Sequence, residues 1–161
     1  MSKEVKDKIN QLVKELELLP HPEGGFYKET YRSDMTIPGM ERQLMTTIYF
    51  LLTSENISRF HRIKSDEIWF YHGGSPLIVH TLTSEGHQEH LVGNDFEKGY
   101  YPQFLVPKDT IFGSSVLEEN SYSLVSCVVA PGFDFADFEL FDTEILLEEY
   151  PNDELIIRRL S

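Results

Sequence analysis

Residues 58–74, Ser58-Arg-Phe-His-Arg-Ile-Lys-Ser-Asp-Glu-Ile-Trp-Phe-Tyr-His-Gly-Gly74, decide how the chain is read. His61 and Ile63 alternate on one short run, and Glu67, Trp69 and Tyr71 alternate on the next. In an extended strand, side chains two residues apart share a face, so each set lies on one face of its strand. Lys64-Ser65-Asp66 reads as a polar turn between them. A hairpin folding these faces together brings an imidazole and a carboxylate side by side under two aromatic rings. That is how a polar site inside an apolar cavity is built.

Working toward the N-terminus, Ser2 is placed to cap a helix running to about Leu19, with Val5, Ile9, Leu12, Val13 and Leu16 forming one apolar stripe. Pro20, His21 and Pro22 stop it. Gly24-Gly25 predicts a turn and Phe26–Arg32 a strand, with Tyr27, Glu29 and Tyr31 on one face and Phe26, Lys28, Thr30 and Arg32 on the other. Gln43–Leu52 is β-prone and of the kind buried on both faces. Toward the C-terminus, strands are predicted at 76–82, 87–92, 101–106, 110–114 and 122–130, separated by turn residues. Many short strands at this spacing argue for a sandwich or barrel. Helical spacing returns over 142–160, interrupted by Pro151. The expected layout of residues 1–161 is one domain: a helix over 1–20, a barrel over 21–141 and a helical tail over 142–161.

The formal charge of −13 repels phosphate backbones and anionic lipid, so neither nucleic acid nor a membrane surface is an expected partner. The 11 Phe and 8 Tyr residues, against one Trp, suit an aromatic-rich β core. Cys127 is the single cysteine, so no internal disulfide is possible, which fits a reducing compartment. The first sixteen residues are charged throughout, unlike a secretory leader, and no apolar run approaches the roughly 20 residues of a membrane span. A cytoplasmic location is expected.

The central stretch resembles the first motif of the cupin superfamily, with His61, Glu67 and Gly74 at motif positions, Ile63 where a second histidine stands and Glu55 where an opening glycine stands. The second motif is weaker: Pro107 matches, while Asp109, Phe112 and Val116 replace its glycine, metal-binding histidine and asparagine. Four stretches in order, LPHPEGGFYKETYRS, FHRIKSDEIWFYHGG, YPQFLVP and VAPGFDFADFEL, are similar to a subfamily of small, largely uncharacterised cupins. The resemblance implies an all-β double-stranded β-helix (jelly-roll) barrel with an N-terminal helix and short C-terminal helical turns. It also implies a homodimer and a fold like that of the nucleotide-sugar epimerases of the rhamnose pathway.

Three functions stay open. A metal-independent epimerase or isomerase acting on a sugar-derived or similar polar small molecule would use His61 as base, Glu67 to hold it and Tyr71 or Tyr49 as acid. A non-catalytic module would only bind the small molecule. For both, Tyr49, Trp69, Gln103, Arg32 and His21 are the ligand-binding candidates. A metal-dependent enzyme would have only His61 and Glu67 as ligands unless His80 or Gln103 added donors, too few for tight binding, so no cofactor is expected.

Overall fold

The computed structural model describes residues 1–161 as two antiparallel sheets packed face to face. One holds, in spatial order, β1 (Leu19–Pro20), β2 (Phe26–Arg32), β3 (Thr46–Thr53), β10 (Tyr122–Ala130), β5 (Asp66–Gly74) and β8 (Gln103–Val106). The other holds β11 (Glu139–Leu140), β4 (Ile57–Arg62), β9 (Ile111–Val116), β6 (Leu77–Thr83) and β7 (Gly86–Val92). Alternation is cleanest along β10, where Ser123, Val125, Cys127 and Val129 are buried and the residues between them are not. Phe50 and Leu52 of β3, Trp69 of β5 and Val106 of β8 join this face. Leu77 and Val79 of β6 and Phe112 and Val116 of β9 meet them from the opposite sheet, and this apolar layer is the core.

Residues 58–74 do not form the expected hairpin. β4 pairs with β9 and β11, whereas β5 pairs with β10 and β8, so the chain crosses between sheets at Ile63–Ser65. Partner length explains it. β5 finds a nearly continuous register along nine-residue β10, while β4 is six residues long and its pairing with β9 is broken by a bulge. The inward faces of β4 and β5 therefore meet across the interior instead of along one sheet.

The N-terminal helix α1 spans Lys3–Glu15, with Ser2 Oγ accepting from Val5 N at 3.3 Å. It ends earlier than its apolar stripe suggested, because Glu17 takes a left-handed φ of 54° and Leu19–Pro20 pairs with β2. Ile9 packs with Leu18 on Leu51, on the outer face of the six-stranded sheet. Burying a side chain of that size is worth about 1.5–3 kcal/mol. The outer face of the other sheet is covered by α2 (Thr143–Glu149) and α3 (Glu154–Arg159), through Leu146, Ile157 and Leu160 on Phe60, Leu82 and Ile111. No helix is long and apolar enough to cross a membrane.

Candidate functional site

A cavity of about 480 Å³ opens between the sheets where β2, β3, β4, β5 and β10 come together. Glu67 is the first inward residue of β5, registered against Val106 on one side and Val129 on the other. No protein group hydrogen-bonds its carboxyl, and burial between apolar neighbours pushes its pKa up to about 8. At pH 7 it is mostly a neutral acid that can donate a hydrogen bond.

His61 enters the same cavity from β4. Its ring lies between those of Phe112 and Phe138, with centroids 4.2 and 5.3 Å away. Its Nδ1 is 2.6 Å from the carbonyl oxygen of Arg59, so Nδ1 carries the proton and donates it there, leaving Nε2 with a free lone pair. Burial holds the pKa down at about 4 against the opposing Arg59 hydrogen bond, and His21 nearby lowers it further. His61 and Glu67 line one cavity but form no hydrogen bond or ion pair with each other. Belonging to different sheets, they approach across open space rather than along a ladder.

The mouth is shaped by a break in alternation. Pairing of β2 with β3 shifts between Glu29 and Tyr31, where Thr30 bulges out. Parity resets, so Arg32, opposite buried Thr46, turns to the same side as Tyr27 and Glu29, while Tyr31 turns away. Arg32 Nη2 donates to Glu29 Oε1 at 2.7 Å and to the Phe133 carbonyl at 3.1 Å, and Nη1 donates to Gln43 at 3.0 Å. His21 reaches the cavity because Gly24 lets the HPEGG turn lie directly on β4: a Cβ there would stand 2.0 Å from the Ile57 carbonyl oxygen, at a φ of 111°. The His21 Nδ1 accepts from Glu23 N at 3.0 Å, and burial lowers its pKa to about 4. Phe133, Phe135 and Phe138 close the remaining side, on a turn anchored where Arg42 grips Asp137 with two contacts of 2.7 Å.

Other sequence candidates lie elsewhere. Tyr71 shares the inward face of β5, but its hydroxyl donates to the Gly74 carbonyl at 2.6 Å and borders a different hollow, with Asn94 and Tyr100. At about 3.3 Å per residue, four residues set it about 13 Å from Glu67 along the strand. Trp69, one step closer, is only 3% exposed and packed in the core against Phe50 and Phe112. Tyr49 points to the opposite face of β3 and packs beside the cluster under α1. Gln103 is exposed on the outer face of edge strand β8, since Phe104 and Val106 take the inward positions. Among the residues lining the cavity, Tyr27 and Glu29 of β2, with Ile48 and Val129, are ones that sequence reasoning did not single out; the first two carry the polar groups. Their alternation was visible, but which face of β2 turned inward was not.

A metal does not fit the cavity. His61 offers one free nitrogen and Glu67 one carboxyl, while Ile63 and Phe112, at the other ligand positions of the motifs, are apolar, which leaves two donors where a site needs three or more.

Residues 10–141 match a family described as Cupin superfamily (DUF985). A crystal structure of a Shewanella oneidensis protein is similar at 44% identity and a TM-score of 0.89, covering 94% of this chain and 96% of that one. A hypothetical protein from Leishmania major gives 42% identity and 0.88, covering 94% and 97%. The uncharacterised Saccharomyces cerevisiae protein YML079W is 31% identical over 146 residues, covering 80% of this chain and 73% of that protein. Oxalate decarboxylase from Bacillus subtilis shares the fold alone, at 15% identity and a TM-score of 0.55 over 88% of this chain and 36% of that one.

Proposed function

This chain belongs to the DUF985 family of the cupin superfamily, and from the geometry of its cavity we propose that it takes an uncharged, hydroxyl-bearing carbonyl compound, such as an aldose or ketose, and moves a proton on it. The observation that carries this reading is a neutral imidazole with a free Nε2 lining the same cavity as a buried carboxyl whose pKa is raised to about 8. Two titratable groups whose surroundings push their proton affinities apart are what a base and an acid require. His61 Nε2 takes the proton from the carbon beside the carbonyl. The electron pair moves to the carbonyl oxygen, where the Glu67 hydroxyl hydrogen donates to the developing charge. Return of the proton by His61 to the former carbonyl carbon, with the neighbouring hydroxyl proton passing to the former carbonyl oxygen, gives the isomer; return to the first carbon after the enediolate has turned its other face to His61 gives the epimer. Glu67 takes the acid role in place of Tyr71, whose hydroxyl is committed to Gly74.

The substrate class follows from the mouth. Arg32 is already paired with Glu29, and Asp134 adds a second carboxylate, so an anionic group finds no free positive charge. Donors and acceptors side by side suit hydroxyls, and Phe133 and Phe138 suit the apolar face of a sugar ring. The volume lies within the range of small-molecule sites. A cytoplasmic homodimer belongs to the same proposal; a single cysteine, Cys127, buried in the core, and the exposed Leu19 and Leu105 on the edge strands of the larger sheet support it.

The test is incubation with a panel of aldoses and ketoses in heavy water, followed by mass spectrometry for deuterium at carbon. Incorporation that falls by about 10²–10⁴ in His61→Gln and in Glu67→Gln is expected. Binding by calorimetry without incorporation for any sugar would support a non-catalytic binding module instead, and no binding at all would end the sugar reading.

A further inference from the structure

Outside the cavity, one cluster of metal-ligating side chains lies on the opposite, outward face of the smaller sheet. His80 comes from β6, and His87 and Glu89 come from β7. His87 and Glu89 are two residues apart, so one face of β7 presents both. The register sets His80 opposite Glu89, with His87 opposite Leu82 on the same side. Their ligand atoms all lie within 4.8 Å of one another, with His80 Nδ1 2.9 Å from His87 Nε2 and 4.0 Å from Glu89 Oε1.

We infer that His80 Nδ1, His87 Nε2 and Glu89 Oε1 form a binding site for a divalent transition metal of the zinc type. Two imidazoles and a carboxylate are a complete protein ligand set for a zinc site that keeps its fourth position open. His80 is wholly buried, and with Nδ1 turned to the metal its Nε2 carries the proton and donates to Ser115 Oγ, 2.8 Å away. An outer partner of this kind fixes the tautomer and ring orientation of a ligating histidine. The two rings share one hydrogen bond and stack 5.1 Å apart. A tetrahedral metal at about 2.0–2.1 Å from each nitrogen sets them about 3.3 Å apart, so His87, which is only half-buried, swings outward by a few tenths of an ångström. The fourth position faces the hollow between β7 and the Pro151–Asp153 turn, where water completes the shell. Arg159 borders that hollow and opposes a cation, but Glu89, Asp153 and Glu154 border it too and outweigh it. The metal binds β7, an edge strand, to β6 and holds the outer sheet where the C-terminal segment packs.

Chelator-treated full-length protein is titrated with Zn²⁺ by calorimetry and with Co²⁺ by visible absorption. Expected are one equivalent bound, a four-coordinate cobalt spectrum and a melting temperature raised by zinc. Glu89→Gln, at an exposed position, and His87→Ala each abolish the cobalt spectrum. Ser115→Ala weakens zinc binding by about 10–100-fold. His61→Ala, in the cavity, changes none of these, which separates this site from the proposed proton chemistry. Absence of binding at millimolar zinc would overturn the inference. So would a cobalt spectrum that survives Glu89→Gln and His87→Ala, or one that disappears in His61→Ala.

Discussion

Replacing Glu67 by glutamine isolates what burial does to this carboxyl. The side chain keeps its size and the ability to donate, but it no longer titrates. In the native protein, burial raises the pKa from an ordinary value near 4.5 to about 8. Because the folded-state value lies above the unfolded one, the carboxyl's contribution to stability is whole below pH 4.5. It drains away as pH climbs through 8. Each pH unit between those two values removes about 1.4 kcal/mol, so the loss is about 3 kcal/mol at pH 7 and approaches about 5 kcal/mol above pH 9. Glu67→Gln escapes that loss. The two proteins should therefore melt together at pH 4, and the variant should melt higher at pH 7. For a chain of this length 1 kcal/mol moves the midpoint by about 2–4 °C, which gives a gap of roughly 6–12 °C. The assay is thermal unfolding of both proteins, followed by circular dichroism, from pH 4 to 9. His21 and His61 titrate in both and cancel in the difference. A gap that stays flat with pH would mean that the carboxyl titrates in the fold as it does unfolded and is ionised at pH 7, and a native protein that gains on the variant as pH rises would mean that the carboxylate is also paired. The neutral-acid role of Glu67 would then be refuted.

Gly113 of β9 passes so close to the bulge of β4 that a Cβ would stand 2.7 Å from the Ser58 carbonyl oxygen. Gly113→Ala should cost about 1–3 kcal/mol and shift the strand that carries His61, and a melting temperature within about 1 °C of native, the resolution of such a scan, would contradict that packing. At acid pH the histidines set the limit. His21 and His61 are held at about 4, below their ordinary 6.5. Their contribution is present above pH 6.5 and is lost as pH falls through 4. His61→Gln should therefore flatten the fall in melting temperature between pH 6.5 and 4, whereas an unchanged slope would show that His61 is already charged in the fold.

What local sequence could determine, it determined well. The 3.6-residue stripe of Val5, Ile9 and Leu12 made a helix that must lay one face on something, and the alternation in 122–130 made a strand with one buried face. Four motifs in order point to the cupin fold, and the alternation in 58–74 turns His61 and Glu67 toward the one cavity that both line. Both patterns are properties of neighbours along the chain. Strand partners are not, and so β4 and β5, joined by three residues, went to different sheets once β10 offered β5 the longer register. Parity likewise survives only until a bulge. One extra residue at Thr30 brought Arg32 into the cavity and turned Tyr31 out of it, with no signal in the sequence of β2 itself. Proton occupancy was decided last and only by tertiary structure, because the carboxyl of Glu67 and the imidazole of His61 take their pKa values from the apolar side chains that distant strands pack around them.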